Sequence, residues 1–109
     1  MRLNIYKGKE IEKTYTADTY DLMFGTLEDI ADAAHLDDMK TGSNEELIRM
    51  AAGLVTKSLG TVRDLMKDIF DGITDEELRH TKVAELAAVI VDVIKYTIGQ
   101  LNRGIGQKN

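Results

Sequence analysis

The sequence predicts a mostly α-helical fold, with about three to four helices in one small domain that begins with a β-hairpin. Apolar residues recur at three- and four-residue steps over most of 18–101, which is the period of one helix face. Residues 1–17 instead alternate apolar and polar side chains, as half-buried strands do. The chain has 109 residues, 43% of them hydrophobic, so there is room for one modest core. We therefore treat 1–109 as a single domain.

The N-terminal hairpin is predicted over residues 1–17. A glycine in the segment Lys7-Gly8-Lys9-Glu10 allows a turn between two alternating runs. The apolar positions of these two runs are Leu3, Ile5, Ile11 and Tyr15. Two strands alone are marginally stable in water, so we expect the hairpin to lie on helices or to extend a sheet of another copy.

Two amphipathic helices are predicted next. The first covers 19–34, with Asp18 as its N-cap. Residues 35–44 lack apolar periodicity and contain several turn formers, so they are predicted to be a loop. The second helix covers 45–70, and its apolar stripe is that of a conventional amphipathic helix. No proline interrupts any of these segments, so nothing in the sequence forces a kink.

Two N-terminal caps are visible in the sequence. Ser43 or Asn44 can cap the helix over 45–70. Thr74 and Glu77 form the Thr-x-x-Glu pattern of a capping box. A short helix is therefore predicted between the second amphipathic helix and the last one.

The last helix, over residues 83–101, is strongly apolar. Its only charged residues, Glu85, Asp92 and Lys95, project into one narrow arc. This leaves more apolar surface than a small domain usually buries on one helix. We therefore expect a partner for this helix, either a second copy of the chain or another protein. Residues 102–109 are predicted to form a flexible tail.

One side of the last helix is predicted to pack on the helix over 45–70, around Ile90 and Ile94. The neighbouring edge then remains as surplus apolar surface. Val93→Asp is therefore expected to abolish partner binding or oligomerisation while the chain stays mostly helical. The predicted partner-binding residues are Val89, Val93, Tyr96 and Ile98. The alternative is that the other helices and the hairpin enclose this helix on two sides, which would place the same edge in the core.

The composition argues against several classes of function. The net charge is -5, and 18–46 hold nine carboxylates against one lysine, so no basic face is predicted for nucleic acid. The chain contains no cysteine, which excludes disulfides and thiol nucleophiles. Neither a signal peptide nor a membrane span is predicted. We expect a cytoplasmic protein that binds neither nucleic acid nor membrane.

No catalytic or metal-binding constellation is predicted. Glu77 and His80 have the Glu-x-x-His spacing of di-iron helical bundles, but a second such pair is missing. The segment Lys40-Thr41-Gly42-Ser43 lacks the complete pattern of a phosphate-binding loop. No serine lies in a Gly-x-Ser-x-Gly turn. The expected protein is not an enzyme and holds no cofactor or metal.

The order of these features resembles a known family. A short hairpin and two amphipathic helices precede Gly-Ile-Thr-Asp-Glu-Glu-Leu at 72–78, and a hydrophobic helix follows that ends near Ile98 and Leu101. In this order the chain is similar to the tail assembly chaperones of long-tailed bacteriophages that infect Gram-positive bacteria, and to those of related prophages. The resemblance covers nearly the whole chain, and the stretch most typical of the family is 72–101.

The resemblance implies a non-enzymatic protein of the host cytoplasm that binds the tape measure protein and helps tail tube subunits assemble around it. Such a protein needs exposed apolar surface with negative charge nearby, because it must keep an elongated hydrophobic client soluble. We also expect the chain to form a homo-oligomer. The alternative is a small helical regulatory or adaptor protein that acts through homo-oligomerisation alone.

Overall fold

The computed structural model describes residues 1–18, 22–35 and 39–106, with the backbone alone described for 100–106. The elements are β1 (Arg2–Lys7), β2 (Glu10–Thr16), α1 (Phe24–Ala33), α2 (Asn44–Lys57), α3 (Leu59–Ile69), α4 (Asp75–Leu78) and α5 (Val83–Gly106). The structure is 60% helix and begins with a two-stranded antiparallel hairpin. The predicted fold class is therefore confirmed.

The hairpin forms where the alternating pattern placed it. β1 and β2 pair in antiparallel register, with Leu3 opposite Tyr15 and an irregularity between Ile5 and Tyr6. Gly8 lies in the connecting turn with φ +65°, a conformation that is strained for residues with a Cβ. Leu3 and Ile5 are buried, so β1 presents its apolar face to the helices as predicted.

The first helix begins later than predicted, at Phe24. Met23 is the N-cap and has extended backbone angles, so the prediction that Asp18 caps this helix is wrong. The start is fixed from another element, because Asp68 of α3 accepts a hydrogen bond of 2.6 Å from the Thr26 hydroxyl and one of 3.4 Å from the Met23 N–H. Residues 19–21 of the predicted helix lie outside the described part of the chain.

The predicted helix over 45–70 is two helices. α2 ends at Lys57 and α3 begins at Leu59, because Ser58 has φ −135° and ψ 54°, which are not helical angles. The break lets the two halves pack on different neighbours, since α2 lies on α5 and α3 lies on α1. One straight helix of the same length would be about 39 Å long, at ~1.5 Å per residue, and would carry one end away from the core.

Both predicted caps are confirmed. The Ser43 hydroxyl accepts a hydrogen bond from the Glu46 N–H at the start of α2. Thr74 and Glu77 form a complete capping box at the start of α4. The long helix begins at Val83 as predicted but runs to Gly106, so its predicted end at residue 101 is wrong. The flexibility of residues 102–109 stays a prediction.

The core lies between α5 and the elements on either side of it. α5 packs on α2 along one side and on β1 along another. The largest fully buried side chains of the core are Leu3, Ile30, Leu54, Leu65, Met66, Phe70, Ile90, Val93 and Ile94. In the described part of the chain, no helix combines the length and the apolarity needed to cross a bilayer.

Candidate protein-binding surfaces

Glu85 lies on the face of α5 that contacts the hairpin. Its carboxylate accepts hydrogen bonds from the Asn4 side-chain amide at 2.8 Å and from the Tyr6 hydroxyl. The bond to Glu85 raises the pKa of the Tyr6 phenol, because it stabilises the protonated phenol. The backbone N–H of Tyr6 also donates to the carbonyl of His80, 2.8 Å away, just before α5. These bonds fix β1 against the start of the long helix.

The surplus apolar edge predicted on α5 is part of the core. Val89 and Val93 follow Glu85 at steps of four residues, so they share the helix face that meets the hairpin. Their exposed fractions are 3% and 0%. The prediction that these two valines form an exposed strip is therefore wrong, and the alternative of a helix enclosed on two sides is confirmed for this edge.

Tyr96 and Ile98, the other two predicted partner-binding residues, are half-buried. Ile98 packs against the edge of the hydrophobic core. Tyr96 also makes an interaction within the chain. Their contact with a partner stays a prediction, and neither side chain extends the buried edge of Val89 and Val93 into an open apolar strip.

Glu77 is occupied by contacts within the fold. Its carboxylate accepts hydrogen bonds from the Tyr15 hydroxyl at 2.6 Å, the Thr74 N–H at 3.0 Å and the Lys13 ammonium at 3.3 Å. These donors, Tyr15 first, lower the pKa of Glu77 to about 2. His80 instead lies 3.3 Å from Glu76. In the described residues no group of three or more metal-ligating side chains comes together.

The loop before α2 contains a ring of backbone N–H groups that already hold an anion. Glu46 accepts from the N–H groups of Lys40 at 3.1 Å, Thr41 at 3.0 Å and Gly42 at 2.7 Å. These bonds, that of Lys40 first, lower the pKa of Glu46 to about 2. The N–H groups of the segment Lys40-Thr41-Gly42 thus already bind the Glu46 carboxylate and are not free to bind a phosphate.

An acidic apolar face lies on α1 and comprises Met23, Phe24, Glu28, Asp29 and Asp32. Phe24 and Met23 are 75% and 65% exposed, the highest values among large apolar side chains in the described part of the chain. Glu28 and Asp32 follow Phe24 at steps of four, so they lie along the same helix face. The three carboxylates are exposed, and α1 contains no basic residue. This face combines apolar contact area with negative charge.

A second surface is the groove between α2 and α5, which we call the α2/α5 groove. Its volume is about 520 Å³, and its lining is Asn44, Ile48, Ala84, Ala87, Ala88, Val91, Asp92 and Lys95. Ile48 is 56% exposed on one wall. Most of the lining is apolar, and one carboxylate and one ammonium stand on the α5 wall. The groove is thus apolar and carries no net charge.

Sequence reasoning missed both surfaces for identifiable reasons. Phe24 is spaced as part of the apolar stripe of the predicted helix over 19–34, but α1 begins at this residue and its side chain is exposed. Ile48 lies outside the apolar stripe that Leu47, Ala51 and Leu54 form on its helix, and this position was the available signal of an exposed apolar side chain. Ala84 and Ala88 share the charged arc of the last helix and are exposed together with Asp92 and Lys95. Glu85 of the same arc instead contacts the hairpin.

Together the fold and these surfaces define a small helical protein with an N-terminal hairpin and two apolar surfaces open to solvent. Comparisons with protein-family models, curated proteins and solved structures found no match for this chain.

Proposed function

We propose that this chain is a non-enzymatic tail assembly chaperone of a long-tailed bacteriophage or prophage, and that it works in the cytoplasm of the host bacterium. Its client is the tape measure protein, and its action helps the tail tube assemble around that client. The proposal starts from the resemblance in the order of elements. It places client binding on the described surface that has the chemistry such a chaperone needs.

The acidic apolar face of α1 is the observation that carries the proposal. A hydrophobic client is held by exposed apolar side chains, and exposed aromatic residues contribute disproportionately to such contacts. The neighbouring carboxylates make no ion pair within the described residues, so they remain available to keep a complex hydrated and to repel other complexes. Phe24 supplies the contact, and Glu28, Asp29 and Asp32 supply the charge.

The test is co-expression of the full chain with the tape measure protein encoded in the same genome, followed by co-purification and mass measurement by light scattering. We expect the client to be insoluble alone and soluble in complex. Phe24→Ser should reduce the co-purified client about tenfold or more, as loss of a central aromatic contact does. The matched control is Ile11→Ser, which removes another exposed apolar side chain, from β2, and should leave the yield unchanged.

Two outcomes would refute the proposal. If the client stays insoluble beside a discrete oligomer of this chain, the alternative of a regulatory or adaptor protein is favoured. If the complex forms equally well with Phe24→Ser and with the control, binding does not use α1. Substitution of Tyr96 or Ile98 in the same assay tests the partner contacts that the sequence predicted for them.

A further inference from the structure

We infer that the α2/α5 groove is the interface between two copies of this chain, packed through antiparallel α5 helices about a two-fold axis. This inference deepens the proposed function, since it rests on the homo-oligomer that the sequence leads us to expect for such a chaperone.

The α5 wall of the groove has the spacing of a helix-packing seam. Ala84, Ala88, Val91, Lys95 and Ile98 follow one another at steps of four, three, four and three residues, which keeps them on one side of a helix that packs along a partner helix. Two of these positions are alanine, so the backbones can approach to about 8 Å. α5 has 24 residues and is therefore about 36 Å long, which allows a seam of several turns.

The charges on the α5 wall of one copy can pair with those on the same wall of a second copy. Asp92 and Lys95 are both exposed and make no ion pair in the described part of the chain. A two-fold axis at position 93 sets Lys95 of each copy opposite Val91 of the other, where its ammonium reaches Asp92 of that copy. The same register sets Ala88 opposite Ile98. The ion pair between Lys95 and Asp92 of the other copy thus forms twice, as an isologous interface requires.

A second copy of the chain complements the charges of this groove. The chain has a net charge of -5, which opposes self-association in general. The α2/α5 groove escapes this repulsion because it carries one acid and one base. The acidic apolar face of α1 has carboxylates but no basic residue to pair with them. It is therefore unsuited to a two-fold contact with itself.

The experiment measures the mass of the purified full chain by sedimentation and light scattering over a series of concentrations. We expect a dimer that dissociates on dilution. Asp92→Lys turns two attractions into two repulsions, and we expect the dissociation constant to rise about tenfold or more. The exchange Asp92→Lys with Lys95→Asp should restore the dimer, because the pair is then reversed.

Matched variants separate this interface from folding and from the client. Asp64→Lys makes the same charge change at an exposed position of α3, outside both surfaces, and should leave the dimer unchanged. Ala88→Arg places a long cation in the exposed seam and should give a monomer whose helical circular dichroism is that of the original chain. The monomeric variants should still co-purify the client, whereas Phe24→Ser should lose the client and keep the dimer.

Three results would overturn the inference. The first is a chain that stays monomeric at every concentration. The second is a dimer that is insensitive to both Asp92→Lys and Ala88→Arg. The third is a dimer lost with Asp92→Lys that the double exchange fails to restore, since this excludes the antiparallel pairing. Each of these results leaves the co-purification test of the chaperone role unaffected.

Discussion

Glu77 links three parts of the molecule through one carboxylate. It completes the capping box of α4 with Thr74, and it accepts hydrogen bonds from Lys13 and Tyr15 of β2. The ring of Tyr15 lies 6.4 Å from that of buried Phe70. One exposed helix terminus is thereby joined to the hairpin and, through Tyr15, to the edge of the core. The sequence predicted the cap, whereas the hairpin contacts depend on how distant segments pack.

We expect this linkage to make the fold sensitive to acid. The pKa of Glu77 is lowered from 4.5 to about 2 in the folded chain, so the folded state holds the ionised form preferentially. Its stabilising contribution is present above about pH 4.5 and is lost as the pH falls toward about 2. Urea unfolding at several pH values should show stability falling through this window, and Glu77→Gln should make the fall shallower.

Glu12→Gln is the matched control for this pH dependence. Glu12 is exposed on the same strand as Lys13, and its side chain makes no hydrogen bond or ion pair in the described part of the chain. The control should keep the pH dependence of the original chain. Equal slopes for Glu77→Gln and the original chain would show that Glu77 contributes nothing to acid sensitivity. Two other carboxylates contribute to the slope that remains in Glu77→Gln: Glu46, whose pKa is lowered to about 2, and Asp75, whose pKa is lowered by the hydrogen bond from Lys67.

Val93→Asp distinguishes a core residue from a docking residue. The sequence suggested a loss of binding with the fold retained, but the Val93 side chain is fully buried. A carboxylate there has no partner and loses its hydration, so we expect the free energy of unfolding to fall by about 3 kcal/mol or more. Ala52→Asp introduces the same charge at an exposed helical position and should cost less than about 1 kcal/mol. Equal losses in the free energy of unfolding for the two variants would show that Val93 is not a core residue.

At the scale of elements, the break at Ser58 changes which apolar side chains are buried. A continuous helix would put Leu59 in the stripe with Val55 and Val62, but α3 starts afresh at Leu59 and leaves this side chain 58% exposed. Neither proline nor a strong turn signal marks the break. The periodicity on each side of Ser58 was readable from the sequence, whereas the change of direction between α2 and α3 comes from packing on two different helices.

Two leucines of α3 test this arrangement with the same substitution. Leu65 is 1% exposed, so Leu65→Ala should lower the free energy of unfolding by about 2–5 kcal/mol. Leu59→Ala removes the same atoms from an exposed position and should cost less than about 1 kcal/mol. Chemical denaturation of both variants measures the difference. Similar losses at the two positions would indicate one continuous helix with a single buried stripe.

The elements that the sequence predicted best are those determined locally. The hairpin alternation, the caps at Ser43 and Thr74 and the start of the last helix depend on neighbouring residues, and all are confirmed. The side of α5 covered by the hairpin depends on where β1 packs, which periodicity cannot show. This is why the predicted binding edge at Val89 and Val93 is buried.

At the scale of the molecule, the two candidate surfaces lie on different elements. The acidic apolar face belongs to α1, and the α2/α5 groove lies between two other helices. The molecule is elongated, with extents of 50 × 24 × 20 Å, and the 24-residue α5 is its longest element. This layout would let the proposed chaperone dimerise through one surface and bind its client through the other. Sequence reasoning predicted that both activities exist but assigned the partner contacts to a single helix.

The contacts between β1 and α5 also impose an order on folding during synthesis. Asn4 and Glu85 are 81 positions apart, so the ribosome makes the hairpin long before the helix that covers it. Leu3 and Ile5 have no complete burial site until α5 emerges, and contacts of such large sequence separation form slowly. The nascent chain therefore carries an uncovered apolar strand through most of its translation. A protein proposed to shield another polypeptide from aggregation passes through a period in which its own first strand needs the same protection.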